Sequence, residues 1–161
     1  MINKISEKVS QLYFKTFGST VYVLKLDKNI LIDTSSKENK QELLENLKQL
    51  NLLPEDIHII ILTHSHWDHK GNINLFPNAK LITNKNINEL PLEIKPIKTP
   101  GHTQDSLCFL YKDILFSGDT IFHNKGRGRT DLPGGNENQI QESIKKLKTL
   151  KHNILCPGHI D

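Results

Sequence analysis

From Ile57 to Leu62 every residue but His58 is apolar, and directly beyond lies His64-Ser65-His66-Trp67-Asp68-His69, three histidines and one aspartate within six residues. An apolar run of that length, rich in β-branched side chains, reads as a buried strand. The polar cluster then falls at the strand's carboxyl end, where open α/β sheets place their ligands. Alternation along an extended backbone turns His64 and His66 the same way. Asp68 and His69 begin a turn just beyond. Imidazole and carboxylate, with no thiolate among them, suit zinc or iron.

Further candidate ligands follow downstream. Pro100-Gly101-His102-Thr103, Ser117-Gly118-Asp119-Thr120 and Pro157-Gly158-His159 each set one imidazole or carboxylate in a glycine-containing loop after an extended segment. Four such loops converging at one end of a sheet supply seven ligands: His64, His66, Asp68, His69, His102, Asp119 and His159. That is enough for two metal ions sharing a carboxylate.

At these residues the chain resembles the metallo-β-lactamase superfamily, whose H-x-H-x-D-H signature and later single-ligand loops are present in order. Gly128-Arg129-Thr130-Asp131-Leu132-Pro133-Gly134-Gly135 is similar to the glyoxalase II-like hydrolase branch, which has persulfide dioxygenases among its relatives. The resemblance runs from about Gly18 to His159. It implies a four-layer αβ/βα sandwich. It also implies a first metal on His64, His66 and His102, a second on Asp68, His69 and His159, and Asp119 bridging the two. Asp68 would also orient the activated water or handle its proton. Two divalent ions are implied, zinc first and iron or manganese next, and their shared water as the nucleophile.

The resemblance further implies a thioester of a small thiol as substrate, since a thiolate leaves without prior protonation. Full-length glyoxalase II continues into a helical domain that carries many thiol-conjugate contacts. This chain is expected to lack it, and the thiol carrier stays open. Arg129 stands where related hydrolases use a basic residue against the substrate; its planar fork suits a carboxylate. Pairing with Asp131 to hold the loop is the other reading. In the dioxygenases one iron sits on the equivalents of His64, His102 and Asp119. A cysteine stands there just ahead of the glycine-rich string, where this chain has Arg127.

At 161 residues the length suits a single domain, 1–161, with a core large enough to need no staples. A formal net charge of +3 without a basic block gives no nucleic-acid footprint. No signal-peptide pattern opens the chain and no run is long enough to span a membrane. Cys108 and Cys156, two and far apart, fit a reducing cytoplasm. The oligomeric state is open, and the expected partner is a small-molecule thioester.

Strands are predicted between Val9 and Tyr13, Thr20 and Leu26, and Ile30 and Ile32, with turns at Gly18-Ser19 and Asp27-Lys28-Asn29. Asp33, at the end of the third, either orients a ligand histidine or makes a turn. Ser35 or Ser36 is expected to cap a helix carrying Leu43, Leu44, Leu47 and Leu50, with Glu38 three residues beyond Ser35 as a capping box requires. A short helix is expected over Gly71–Leu75. Later strands are expected at Leu81–Thr83, Leu107–Tyr111, Asp113–Phe116 and Asn153–Cys156, and an extended path through Ile94 and Ile97. Asn136 is expected to cap a helix with Ile140, Ile144, Leu147 and Leu150 on one face. His58 is expected to be packed, and His123 and His152 exposed. Trp67 either walls a pocket or packs.

Overall fold

The computed structural model describes residues 1–160. Contacts divide the chain into two compact units, Met1–Leu62 with His66–Ile82, and Thr63–Ser65 with Thr83 onward. The histidine motif therefore crosses from one unit to the other between Ser65 and His66.

The first unit holds a six-stranded sheet in the order β1-β2-β3-β4-β5-β6. Its strands are β1 (Ile2–Lys4), β2 (Val9–Leu12), β3 (Val21–Lys25), β4 (Asn29–Ile32), β5 (Ile59–Ile61) and β6 (Lys80–Ile82). The first four form an antiparallel meander, while β5 runs parallel to both its neighbours. Helix α1 (Lys40–Gln49) makes the crossover that a parallel β4–β5 pair requires. Leu43 and Leu47 from α1 pack with Val21, Val23, Leu31 and Ile60. The alternate residues Tyr22, Leu24, Ile30 and Ile32 are buried as well, so the sheet is covered on both faces. That explains the unbroken apolar run at β5: an inner parallel strand has no wet face.

Three expectations are corrected here. The capping box at Ser35 does not form. Ser36 spends its hydroxyl on the carbonyl of Phe17 at 2.7 Å, Ser35 adopts φ 59°, and a 3-10 turn over Lys37–Asn39 leads into α1. The helical turn after the motif starts earlier than expected, as α2 (Trp67–Lys70), with a 3-10 turn at Ile73–Leu75 behind it. His58 is exposed, because Ile57 and Ile59 take the inward positions around it; its Nδ1 accepts the Asn29 amide at 3.1 Å.

The second unit holds a four-stranded sheet ordered β10-β9-β8-β7. Strands β7 (Ile94–Lys98), β8 (Leu107–Tyr111) and β9 (Ile114–Gly118) are antiparallel, and β10 (Ile154–Pro157) lies parallel to β9. Pro96 is accommodated because β7 is an edge strand. Helix α3 (Glu137–Lys148) starts where Asn136 Oδ1 accepts the Gln139 amide at 3.0 Å. Its Leu147 packs with Ile97, Cys108 and Leu115. Among the described residues no helix is long and apolar enough to cross a membrane.

Candidate metal centre

The first unit contributes His66, Asp68 and His69, on and just before α2. A four-residue helix cannot hold itself together, and tertiary hydrogen bonds hold this one. The His69 carbonyl accepts from the Thr34 amide at 2.7 Å and the Thr34 hydroxyl at 3.1 Å. The Asp68 carbonyl accepts from Ser19 at 2.9 Å. Asn72 donates to the carbonyls of Thr34 at 2.8 Å and Ser36 at 2.6 Å. Buried Asp33, at φ 60° past the end of β4, sets a carboxylate oxygen 2.8 Å from His69 Nδ1. A carboxylate only accepts, so Nδ1 carries the proton and Nε2 is the nitrogen left to ligate a cation. That Nε2 stands 3.9 Å from Asp68 Oδ2.

The second unit contributes His64, His102, Asp119 and His159, each from a different loop. Thr63 anchors the first of these. Its carbonyl accepts the Leu107 amide at 2.7 Å, and its hydroxyl lies 3.1 Å from His64 Nδ1. The rings of His64 and His102 meet edge to face, centroids 4.8 Å apart. His102 Nδ1 donates to the Arg129 carbonyl at 2.7 Å, which again directs Nε2 inward. His102 Nε2 lies 3.5 Å from Asp119 Oδ2, and His159 Nε2 lies 3.4 Å from the same oxygen. Gly128 is needed here: a Cβ would collide with the Asp119 carbonyl and stand 2.7 Å from His102 Nδ1. Gly118, at φ 48°, brings its backbone against Thr63, where a Cβ would sit 2.7 Å from the threonine Cβ.

These donor sets fit divalent cations. Separations of 3.4 to 3.9 Å are longer than the roughly 2.7–3.2 Å of N–H···O bonds. Two ligands bonded at about 2.0–2.1 Å to one tetrahedral ion stand about 3.4 Å apart. Imidazoles whose Nδ1 is committed to a protein acceptor are also the usual form of metal-binding histidine.

Arg129 makes both bonds to Asp131, at 2.9 and 2.7 Å, while its side chain is 69% exposed. The hydrogen bond from Arg129 holds the Asp131 carboxyl down at about 2. Arg127 pairs with Glu137, whose other oxygen accepts the Thr130 hydroxyl at 2.9 Å. His123 is exposed, and half-buried His152 sets Nδ1 3.0 Å from the Leu150 carbonyl. Trp67 is 58% exposed and lies against exposed Phe17, centroids 5.9 Å apart. Sequence reasoning missed Thr63, Gly128 and the Arg129 carbonyl as supports of the ligands. The threonine's place directly before His64 was a usable signal; a backbone carbonyl leaves none.

The family described as "Metallo-beta-lactamase superfamily" matches residues 15–85 and 83–159. A probable metallo-hydrolase, MJ0296, of Methanocaldococcus jannaschii is 34% identical over 143 residues, covering 81% of this chain and 70% of its own. Hydroxyacylglutathione hydrolase 1 of Vibrio vulnificus is 33% identical over 142 residues, 76% of this chain and 53% of that one. The chain thus spans about half of that relative's length. Among solved structures, TTHA1623 in a di-iron-bound form superposes with a TM-score of 0.77 at 21% identity, covering 94% of this chain and 92% of that one. The two-sheet α/β architecture is therefore the metallo-β-lactamase fold, as the resemblance implied, and the chain belongs to the metallo-beta-lactamase superfamily.

Proposed function

We propose that the chain is a binuclear metal-dependent hydrolase of small-thiol thioesters. In this reading His64, His66 and His102 hold one divalent cation, Asp68, His69 and His159 hold the other, and Asp119 serves both. Asp119 carries the proposal: one carboxylate oxygen lies 3.5 Å from His102 Nε2 and 3.4 Å from His159 Nε2, two imidazoles assigned to different cations. Covalent geometry supports it too. His64 and His66 are two residues apart, so their Cα atoms stay within about 7 Å whatever surrounds them.

When bound, such a pair of cations supplies a Lewis acid and lowers the pKa of a coordinated water toward neutrality. The protein's part is orientation and proton handling. Asp33 and the Arg129 carbonyl fix the His69 and His102 tautomers. Asp68, buried beside His69, orients the attacking water and takes its proton. The water oxygen bonds to the acyl carbon, the C–S bond breaks, and the products are a carboxylic acid and a thiol. No separate general acid is required, because the thiolate leaves unprotonated. Arg129, exposed on its loop, exchanges its Asp131 partner for a carboxylate of the substrate.

The hydroxyacylglutathione hydrolase relative supports a thioester, and the di-iron relative admits iron beside zinc and manganese. Two buried cysteines, Cys108 and Cys156, support a reducing, cytoplasmic setting. The test supplies zinc or manganese protein with S-lactoylglutathione and a simpler thioester. Release of free thiol without oxygen uptake is expected. Fast, strictly iron-dependent oxygen uptake with glutathione persulfide, with thioesters left intact, overturns the hydrolase in favour of a dioxygenase.

A further inference from the structure

Buried polar side chains of the second unit that ligate nothing converge on one point. Thr99, three residues before His102, and Thr120, directly after Asp119, are 0% and 1% exposed. Cys108, the second residue of β8, is 0% exposed. Thr120 Oγ1 donates to Thr99 Oγ1 at 3.1 Å, Thr99 Oγ1 lies 3.3 Å from Cys108 Sγ, and Cys108 Sγ donates to the Ser117 carbonyl at 3.3 Å. Cys108 Sγ also lies 3.5 Å from Thr120 Oγ1, so the three side chains close on one another, and one arrangement uses every donor. Thr120 O–H points to Thr99, Thr99 O–H to the sulfur, and the S–H to a carbonyl two residues before Asp119. Burial pushes the thiol up to about 11, against the lowering effect of the two threonine hydroxyls, so it remains a donor at neutral pH.

We propose that Thr99, Cys108 and Thr120 are positioning residues that fix the spacing between the His102 loop and the Asp119 loop, and so set the affinity of those ligands for a divalent cation. This rests on the metal reading above. Valine would fill the space of either threonine, so packing alone does not require hydroxyls at both positions. What the hydroxyls add is direction. The Thr120–Thr99 bond joins the residue after Asp119 to the approach of His102, and Cys108 in β8 braces both threonines against the Ser117 carbonyl, in a dry site where an unmade hydrogen bond is costly. The ligand pair they govern, His102 and Asp119, stands at 3.5 Å, a separation that a small shift of either loop would spoil.

The test measures zinc affinity of the full chain by chelator competition, with no substrate present. Thr120→Val, which keeps the shape and removes the donor, should weaken zinc binding about 10-fold, the low end for lost outer supports of metal ligands. Thr120→Ser should restore it. Cys108→Ala should weaken binding less, and serves if Thr120→Val does not fold. Leu43→Ala, a packing lesion in a core cluster that holds none of these three residues, should lower the melting temperature without changing zinc affinity. Unchanged affinity in Thr120→Val, or in Cys108→Ala if it alone folds, overturns the network's role; so does failure of Thr120→Ser to restore binding. A native chain that binds no divalent cation overturns the metal reading and the network's role with it.

Discussion

The two units place their candidate ligands by opposite routes. In the first, ligands are neighbours in the chain, set on a four-residue helix, and side chains of the β4 exit hold that helix in place: Asp33 by its carboxylate, Thr34 by its hydroxyl. In the second, each ligand stands alone on its own loop, and the loops are tied by backbone contacts, among them Gly128 to the Asp119 carbonyl at 2.8 Å and Gly158 to the Gly118 carbonyl at 2.7 Å. The first half is organised by one sequence motif and the second by tertiary structure. Damage should accordingly be local in the first half and shared among loops in the second.

The largest effects test whether the halves are equally necessary. His69→Ala in the first unit and His102→Ala in the second should each lose activity entirely and weaken metal binding by about 100-fold or more, past the range for lost outer supports. Metal analysis of the purified variants checks this, and full metal content in either variant breaks the assignment. One step smaller is Asp33→Ala, which leaves the His69 Nδ1–H without its acceptor. It should cost about 1–3 kcal/mol of stability and roughly 10–100-fold in affinity at one metal position only. Loss at both positions would show that the first half is not local after all.

Arg129 separates its side chain from its carbonyl. Arg129→Ala keeps the carbonyl that orients His102, so KM should rise several-fold with metal content unchanged. Loss of metal would mean that the Asp131 pair holds the loop for the ligands. The pair has a pH signature as well. Its carboxyl pKa is depressed in the folded chain, to about 2. The pairing is therefore complete above the ordinary carboxylate range near 4 and is lost as pH falls through about 2, a titration that NMR of Asp131 reads directly. The smallest effect belongs to His58→Ala: an exposed imidazole outside both ligand sets, it should change neither metal content nor activity.

The strands and both long helices were legible because burial leaves periodic traces: the β5 run, the Leu43/Leu47 stripe and Ile140/Leu147 all follow from which faces are dry. The candidate ligands were legible because imidazole and carboxylate are the side chains a cation needs. What escaped was long-range or carried by the backbone. Ser36 looked like half of a cap until a carbonyl 19 residues away claimed its hydroxyl. Strand β1 has three residues and one apolar side chain, Ile2, too little for any pattern. Asp33 at φ 60° gave no sign of its strain, since an aspartate there also suits a plain turn.

The proposed function requires two cations per chain, with Asp119 serving both. Trp67, the chain's one tryptophan, stands between His66 and Asp68, so its fluorescence reports on metal binding beside mass measurement. Native mass spectrometry of metal-stripped protein titrated with zinc should show two ions per chain, with Asp119→Ala failing to retain the pair. A single ion at saturation, or two that survive loss of Asp119 at undiminished affinity, would contradict it.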